Sequence, residues 1–311
     1  MKDVEKECHG DLLRNIVNFL DASDISGKTK KNTLSFAKKI IAEDPSCLTH
    51  FELSFKINKD LLEGEKVRLL SLDGKGYSYK SSAAFLDRIK KYDSIIGNKT
   101  KNNKNKLLKS LRSVAKTPVD LYFGADIKDD RHLFAFWLIF GGAKKDGKIS
   151  FTKNASRIID NIFSSLKVAP EFKVRNEDIL NLGFDLDERS IFYKIYYFLN
   201  KNNYLLLDRS ERKKIRAIID LLGAEHKYWF FISERYEIGE KKTNRKKLYL
   251  EFLDDLGTQD EKNYPLMEKI MRIVGCQFKI EKLKEMLRVM EAKIVILAFE
   301  SDGTMTFYIR L

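Results

Sequence analysis

The chain has 311 residues and a formal net charge of +13; 43% of its residues are hydrophobic and 12% are aromatic. This composition supplies enough apolar side chains for a core and excludes the intrinsically disordered class. No run of about 18 apolar residues predicts a membrane-spanning helix, and the first residues, MKDVEKECHGDLL, lack the pattern of a signal peptide. We therefore expect a cytoplasmic protein that does not enter a membrane.

The positive charge suits nucleic acid, an anionic membrane surface or a phosphorylated substrate, and charge alone does not choose among them. Cys8, Cys47 and Cys276 are isolated and match no metal-ligand spacing, so the sequence predicts neither a disulfide framework nor a zinc site. No P-loop, GxGxxG motif or Ser-His-Asp arrangement is present. The common nucleotide-binding and hydrolase classes therefore find no support.

In chain order, residues 1–45 are predicted to form a helical entry segment, and residues 46–311 to form repeated units. The repeat is clearest between YFGADIKDDRHLFAFWLIF (122–140) and NLGFDLDERSIFYKIYYFL (181–199), where Gly124 and Asp126 correspond to Gly183 and Asp185. Looser versions are THFELSFKI with EKVRLLSLDG, YWFFISERYE with KKLYLEFLDD, and AKIVILAFES with GTMTFYIRL. Alternating polarity and polar turns predict a β-hairpin in each of these five units.

Helical patterns separate the hairpins. They are SSAAFLDRIKKYDSII with KLLKSLRSVA, then NASRIIDNIFSSL, then RSERKKIRAIIDLLG, and finally PLMEKIMRIVG with KIEKLKEMLRVMEAK. Ser210 is predicted to open the third of these groups. We predict one domain of the α/β type (α+β), a closed ten-stranded antiparallel barrel of five αββα repeats with helices outside, because closure leaves no exposed sheet edge.

Strand side chains alternate between faces, so each hairpin divides into a helix-facing set and a lumen-facing set. The apolar set should face the helices. The polar set then lines the lumen, and it comprises Glu52, Ser54 and Lys56; Asn181, Gly183, Asp185 and Asp187; Lys194 and Tyr196; Arg245, Lys247, Tyr249 and Glu251; and Thr306, Tyr308 and Arg310. The alternative is an ordinary half-buried sheet whose polar faces are exposed.

A barrel of about ten strands is wide enough to hold a ligand. Buried cations would be costly without an anionic partner, and a bound anion such as pyrophosphate would supply one. Arg offers a planar fork to such an anion and Lys a point charge. Tyrosine rings above the anion would shield a carbocation by cation–π attraction.

With these residues in place, the sequence resembles the ABBA-type (PT-barrel) aromatic prenyltransferases, and most of all the cyanobactin peptide prenyltransferases. FELSFKI is similar to the first strand of that family, and VRLLS to the next strand, which carries an arginine. The Lys194-x-Tyr196 and Arg245-x-Lys247-x-Tyr249 patterns resemble strands of the fungal indole branch. The likeness rests on the order of these short patterns from about residue 45 to 311.

The resemblance implies transfer of a dimethylallyl or longer prenyl group from its diphosphate to an aromatic small molecule or a peptide side chain. Glu52 would be the general base, and Trp137 part of the acceptor wall. The resemblance assigns diphosphate binding to Arg68, Lys194, Arg245 and Lys247, and the shielding of the carbocation to Tyr196, Tyr249 and Tyr308. Mg²⁺ is a possible diphosphate partner that the sequence does not require, and no metal ligand or organic cofactor is assigned.

One departure from the family concerns the second hairpin. HLFAFWLIF carries no Lys or Arg, although the family usually places a diphosphate-binding cation there. Lys194 and Lys247 are expected to compensate, or else catalysis has been lost. Two other functions therefore remain open: a catalytically silent ligand-binding barrel, and a basic nucleic-acid-binding protein, which no helix-turn-helix, zinc-finger, RNP or KH signature supports.

Overall fold

The computed structural model describes residues 2–43, 51–58, 61–72, 87, 90–91, 107, 111, 120–127, 132–143, 149–151, 155–166, 178–186, 191–201, 203–237 and 245–311. Its helices are α1 (Lys2–Ala22), α2 (Gly27–Glu43), α3 (Ala155–Leu166), α4 (Arg209–Leu222), α5 (Asn263–Val274) and α6 (Ile280–Arg288). Its strands are β1 (Phe51–Asn58), β2 (Leu61–Leu72), β3 (Asp120–Ile127), β4 (His132–Ile139), β5 (Gly141–Ala143), β6 (Ile149–Phe151), β7 (Ile179–Leu186), β8 (Ile191–Phe198), β9 (Tyr228–Glu237), β10 (Arg245–Gly257), β11 (Lys293–Phe299) and β12 (Met305–Arg310). A 3₁₀ helix, Asn203–Leu206, precedes α4.

The five predicted hairpins are present and every neighbouring pair in the large sheet is antiparallel. The strand order is β1-β12-β11-β10-β9-β8-β7-β4-β3-β2, and β2 pairs with β1. β1 also pairs with β12, the last strand of the chain, with Ser54 opposite Tyr308, so that every strand of this sheet has two neighbours and the sheet closes into a barrel. The predicted mixed α/β class, with an antiparallel sheet and helices around it, is confirmed.

The short β5–β6 hairpin was not predicted. It follows β4 directly and forms a separate two-stranded sheet. The sequence between its strands contains Asp146-Gly147, a pair that favours tight hairpin turns. Both strands have only three residues, too few for a periodic pattern to stand out.

The hydrophobic core lies between the outer barrel face and the helices. Phe55 of β1 contacts Phe19 of α1, with ring centroids 5.2 Å apart, and stacks on Phe307 of β12 at 5.2 Å. Apolar residues of α3, α4, α5 and α6 belong to the same buried cluster. Among the described residues, no helix combines the length and apolar composition that crossing a bilayer requires.

Helix α4 corrects the predicted helix start. Its N-cap is Asp208, not Ser210: the Asp208 carboxylate accepts from Glu211 N at 2.8 Å, and Glu211 accepts from Asp208 N at 2.9 Å. This reciprocal capping box satisfies two backbone N–H groups that would otherwise lack partners. Of the predicted helices at 81–96 and 106–115, only Asp87, Lys90, Lys91, Leu107 and Leu111 lie within the described residues, all helical.

Alternation with the predicted lumen-facing Asn181 and Gly183 would turn Leu180 toward the helices, and this expectation is wrong. The pairing of β7 with β8 shifts register between Ile179 and Asn181. Such a bulge reverses the alternation of side chains, so Leu180 joins the cluster inside the barrel, not the outer face of Leu182 and Phe184.

Candidate functional site

The barrel interior contains a second apolar cluster, separate from the outer core. We call it the lumen cluster, and its buried members are Ala135, Trp137, Leu180, Tyr196, Phe231, Tyr249, Val295, Ala298 and Tyr308. Tyr249 is its centre: it stacks on Phe231 at 4.5 Å and lies 5.6 Å from Tyr196 and 6.2 Å from Tyr308, measured between ring centroids. The three tyrosines predicted to share the lumen are therefore neighbours.

A glycine on β7 makes room for the tryptophan of this cluster. A Cβ on Gly183 would lie 2.6 Å from Nε1 of Trp137 and 3.2 Å from Cε2 of Tyr196. With no side chain there, the Trp137 indole lies against the strand and donates a hydrogen bond to Tyr196 Oη at 3.1 Å. The glycine of the Gly-x-Asp repeat thus has a packing role in the third hairpin.

The tyrosine hydroxyls remain protonated donors. Burial raises the pKa of Tyr196, of Tyr249 and of Tyr308 above the usual tyrosine value. The Ser233 hydroxyl donates to Tyr249 Oη at 3.3 Å. Neutral rings with oriented hydroxyls can stabilise a cation by their faces and hydrogen-bond an anion by their edges.

A cavity of about 140 Å³ adjoins this cluster. We call it the cationic cavity, because six of its lining residues are lysines or arginines. Its lining residues are Ser54, Phe55, Lys56, Arg68, Lys194, Ser233, Arg235, Lys246, Lys247, Tyr249, Glu300, Thr306 and Tyr308.

Arg68 is held at the cavity wall by Asp126 on the neighbouring strand. Its Nη2 donates to Asp126 Oδ2 at 2.8 Å, and its Nε donates to Oδ1, which makes the pair bidentate. Burial opposes the charge, but Asp126 outweighs it and holds the pKa of Arg68 well above its usual value. The guanidinium carbon lies 5.5 Å from the centre of the Trp137 ring, so Arg68 links the cavity to the lumen cluster.

Asp185 is the counterion of two other lumen cations, Lys194 and Arg235. Its Oδ2 lies 2.6 Å from Lys194 Nζ and 3.6 Å from Arg235 Nη2, and its side chain is 3% exposed. Burial alone would raise the pKa of Asp185, but Lys194, Arg68 and Arg235 outweigh it and lower that pKa. Burial lowers the pKa of Lys194 to about 8 against the attraction of Asp185.

Lys247 has a different environment. Its Nζ donates to Thr306 Oγ1 at 2.5 Å, and within the described part of the chain no carboxylate oxygen lies within 4 Å of it. Burial lowers its pKa to about 7, and the charges of Arg68, Lys56 and Lys194 act in the same direction against Glu300. Among the described lysines of the cavity, Lys247 is therefore the one whose positive charge a bound anion, and not a neighbouring carboxylate, would stabilise.

Two further ion pairs join β1 to its neighbours. Arg310 Nη2 lies 3.1 Å from Glu52 Oε1, and Lys56 Nζ lies 3.7 Å from Glu300 Oε1. Glu52 is 7% exposed and is not among the residues that line the cationic cavity. The position predicted for the base therefore faces the lumen from beside the cavity.

The structure brings together most of the residues that the sequence singled out. Arg68, Lys194, Lys247, Tyr249 and Tyr308 line one cavity. Tyr196 and Trp137 lie in the adjoining lumen cluster, where both are about 95% buried. Arg245 pairs with Arg235 in the β9–β10 ladder, and its side chain lies outside the described part of the structure.

The sequence alone did not identify the counterions or the cation Arg235. Asp126 and Asp185 mark the repeat in the sequence, and in the structure both are buried partners of lumen cations. Their constant offset from Gly124 and Gly183 in the repeat is the available signal. Arg235 follows Phe231 and Ser233 on the lumen face of β9, as simple alternation along that strand requires.

No organised metal site was found among the described residues, in which no group of three His, Cys, Asp or Glu side chains converges. Asp126 and Asp185 are the nearest candidates for binding Mg²⁺ alongside a diphosphate. Both already pair with Arg or Lys, which competes with a metal for the same oxygens.

Comparison with known proteins gives a match in structure alone. The sequence matches no protein-family model, and no curated protein matches it.

The fold is similar to several solved structures over nearly its whole length. For 5-dimethylallyl tryptophan synthase from Streptomyces coelicolor, in complex with DMASPP and Trp, the TM-score is 0.65 at 11% identity, covering 97% of this chain and 94% of that one. For 6-dimethylallyltryptophan synthase from Micromonospora olivasterospora, also in complex with DMASPP and Trp, it is 0.63 at 11% identity and 97% coverage of both chains. For AnaPT from Neosartorya fischeri it is 0.62 at 13% identity, covering 96% and 93%. At these identities the likeness establishes the architecture: the chain has the fold of the ABBA-type aromatic prenyltransferases.

Proposed function

We propose that this chain is a prenyltransferase that moves a dimethylallyl group from its diphosphate to an aromatic acceptor inside the barrel. One observation carries the proposal: a cavity lined by Arg68, Lys194 and Lys247 adjoins a buried cluster of Tyr196, Tyr249 and Tyr308. The first suits a diphosphate and the second suits an allylic cation. The fold neighbours in complex with DMASPP and Trp support a donor and an acceptor of this kind.

The first chemical step is the departure of the diphosphate. The bond between the allylic carbon and the bridging oxygen breaks, and the electron pair stays with the diphosphate. Arg68, Lys194 and Lys247 stabilise the charge that develops there, and such preorganised electrostatic contacts are often the largest catalytic contribution. Arg68 offers two N–H groups in one plane, although Asp126 occupies them in the absence of donor.

The second step is capture of the cation. The rings of Tyr249, Tyr196 and Tyr308 surround the allylic cation and exclude water, and a carbon or nitrogen of the acceptor forms the new bond. Trp137 forms part of the wall on which a flat acceptor stacks. The acceptor then loses a proton, for which we propose Glu52 as the general base, oriented by Arg310.

The range of substrates is a finer part of this proposal. Dimethylallyl diphosphate is the favoured donor because the cationic cavity is small, and geranyl diphosphate is the longer alternative. The acceptor is a free indole or phenol, or the aromatic side chain of a peptide. The turnover assay described next also tests which of these acceptors the barrel accepts.

Turnover tests the proposal. The protein is incubated with each donor and a panel of indole, tryptophan, tyrosine and short aromatic peptides, and products are detected by mass spectrometry. We expect a product carrying one prenyl group. Lys194→Met should lower kcat by about 100-fold, in line with the loss of one charge-stabilising contact. The exposed Lys213→Met on α4 is the matched control and should leave turnover unchanged.

A silent ligand-binding barrel is the second candidate, favoured by the pairing of Arg68 with Asp126 and of Lys194 with Asp185. Those pairs neutralise cations that a donor would need. Saturable donor binding without product from any acceptor would support this function over transfer. No donor binding, together with salt-sensitive binding of RNA or DNA, would instead support the nucleic-acid-binding alternative.

A further inference from the structure

We propose that the Lys247 amine takes up a proton from solvent when the donor binds, so that the barrel binds a diphosphate together with one proton. This inference rests on the anion-binding part of the proposed function and adds a specific proton to it. Three features of the cationic cavity carry it: the contacts of Lys247, the charges around it, and its place in the cavity lining.

The contacts of Lys247 suit a neutral amine and an ammonium equally. The amine bonds to the Thr306 hydroxyl at 2.5 Å and lies 5.9 Å from the centre of the Tyr249 ring. A hydroxyl can accept a hydrogen bond from an ammonium or donate one to a neutral amine, so Thr306 stays satisfied in both states. A carboxylate partner would instead fix the charged form.

The other lumen cations have such carboxylates. Arg68 is bidentate to Asp126, and Lys194 lies 2.6 Å from Asp185. Lys247 lies within 4 Å of no carboxylate in the described part of the chain. Loss of a proton from Lys247 therefore breaks no ion pair among the described residues.

Apart from the adjacent Lys246, the charges that line the cavity with Lys247 come from four strands and from the residue that follows β11. On its positive side are Lys56 of β1, Arg68 of β2, Lys194 of β8 and Arg235 of β9, all of which line the same cavity. The negative side within the lining is Glu300, after β11.

Glu300 is itself shared. It lies 3.7 Å from Lys56 Nζ, so its charge is divided between two amines. The remaining titratable neighbours, Tyr249 and Tyr308, are kept protonated by burial, which raises the pKa of each. Asp126 and Asp185 offset part of the charge of Arg68 and Lys194. Burial is the largest influence on Lys247 and lowers the pKa of its amine to about 7, and Arg68, Lys56 and Lys194 act in the same direction against Glu300.

A diphosphate in the cavity would add negative charge beside the Lys247 amine. Its oxygens replace water in front of the amine and favour the ammonium, which raises the pKa of Lys247 in the complex. The balance is one amine, one proton from solvent and one diphosphate, giving an ammonium paired with the diphosphate. That proton then lies against the leaving group, where negative charge grows as the allylic bond breaks.

The sign of the pH dependence follows. The pKa of Lys247 is higher with the anion bound than without it. The affinity for the anion is therefore highest below the pKa of about 7 in the ligand-free protein, and it falls as pH rises above that value. The expected loss is about tenfold for each pH unit until the pKa of the complex is reached.

The test is calorimetric titration with inorganic pyrophosphate at about pH 8, in two buffers of different ionisation enthalpy. The probe contains no prenyl group, so the result does not depend on transfer activity. The heat difference between buffers gives the net proton uptake, to which Lys194, with a pKa of about 8, and the pyrophosphate itself also contribute. We therefore expect the wild type to take up about 0.9 more protons per pyrophosphate than Lys247→Arg, for a free pKa of Lys247 of about 7. Equal uptake by these two proteins, or absence of pyrophosphate binding, would overturn the proposal.

Two arginine variants separate Lys247 from Lys56, another lysine of the cavity. Lys247→Arg keeps the positive charge but does not titrate, so binding should persist while proton uptake falls by about 0.9 and the affinity depends less steeply on pH between about pH 7 and 9. Lys56→Arg is the matched control and should keep the wild-type uptake. The same uptake in Lys247→Arg as in the wild type would assign the proton to another group and contradict the inference.

Discussion

Replacing Gly183 by alanine should disrupt the packing of the lumen cluster. The new Cβ would lie 2.6 Å from Trp137 Nε1 and 2.7 Å from its Cδ1, closer than real Cβ contacts allow. The indole must therefore move, which costs about 1–3 kcal/mol of overpacking. It also breaks the hydrogen bond to Tyr196, worth about 1 kcal/mol. We expect Gly183→Ala to lower the free energy of unfolding by about 2–4 kcal/mol.

The assay is urea unfolding followed by circular dichroism, arranged as a double-mutant cycle with Trp137→Leu. In the Trp137→Leu background the clash is absent, so the added methyl group should cost less than about 1 kcal/mol. Gly257→Ala is a matched control, because a Cβ on this strand residue meets nothing within 4 Å. Equal losses from Gly183→Ala in both backgrounds would refute the packing argument.

Three other predictions concern charge and capping. Asp126→Asn leaves the Arg68 guanidinium buried without its counterion and should lower the free energy of unfolding by about 3 kcal/mol, with pyrophosphate raising the Tm more than in the wild type; an unchanged Tm would contradict this. Asp208→Ala should cost about 1 kcal/mol by removing the α4 cap, and Ser210→Ala less than about 0.5 kcal/mol; the reverse order would refute the capping assignment. Because folding lowers the pKa of Lys247 to about 7, its charged form destabilises the fold, so ligand-free protein should gain stability from pH 7 to 9 in urea titrations, and Lys247→Met should gain less.

The repeat and the alternation were sufficient to predict the hairpins and most of the faces. A strand such as β10 puts Leu248 and Leu250 in the outer core and Lys247 and Tyr249 in the lumen, as a period of two requires. The rule failed at Leu180, where one extra residue in β7 reverses the faces. A bulge of this kind leaves no mark in residue types, so only the pairing reveals it.

The counterions could not be predicted with the same ease. Asp126 and Asp185 stand at strand ends, where aspartate commonly serves turns. Their role depends on which strands become neighbours. Arg68 lies opposite Asp126 in the β2–β3 ladder. Lys194 lies opposite Gly183 in the β7–β8 ladder, two residues from Asp185. Register across a barrel is a property of the closed sheet and not of a single hairpin.

Binding of the donor to the cationic cavity is the central claim, and calorimetric titration with dimethylallyl diphosphate measures it directly. The account predicts saturable binding in the wild type and in Lys213→Met. It predicts loss of that binding in Arg68→Met and Lys194→Met, provided that circular dichroism shows both variants to be folded. Undiminished binding in both folded variants would contradict the account, because the diphosphate would then be held elsewhere than in the barrel lumen.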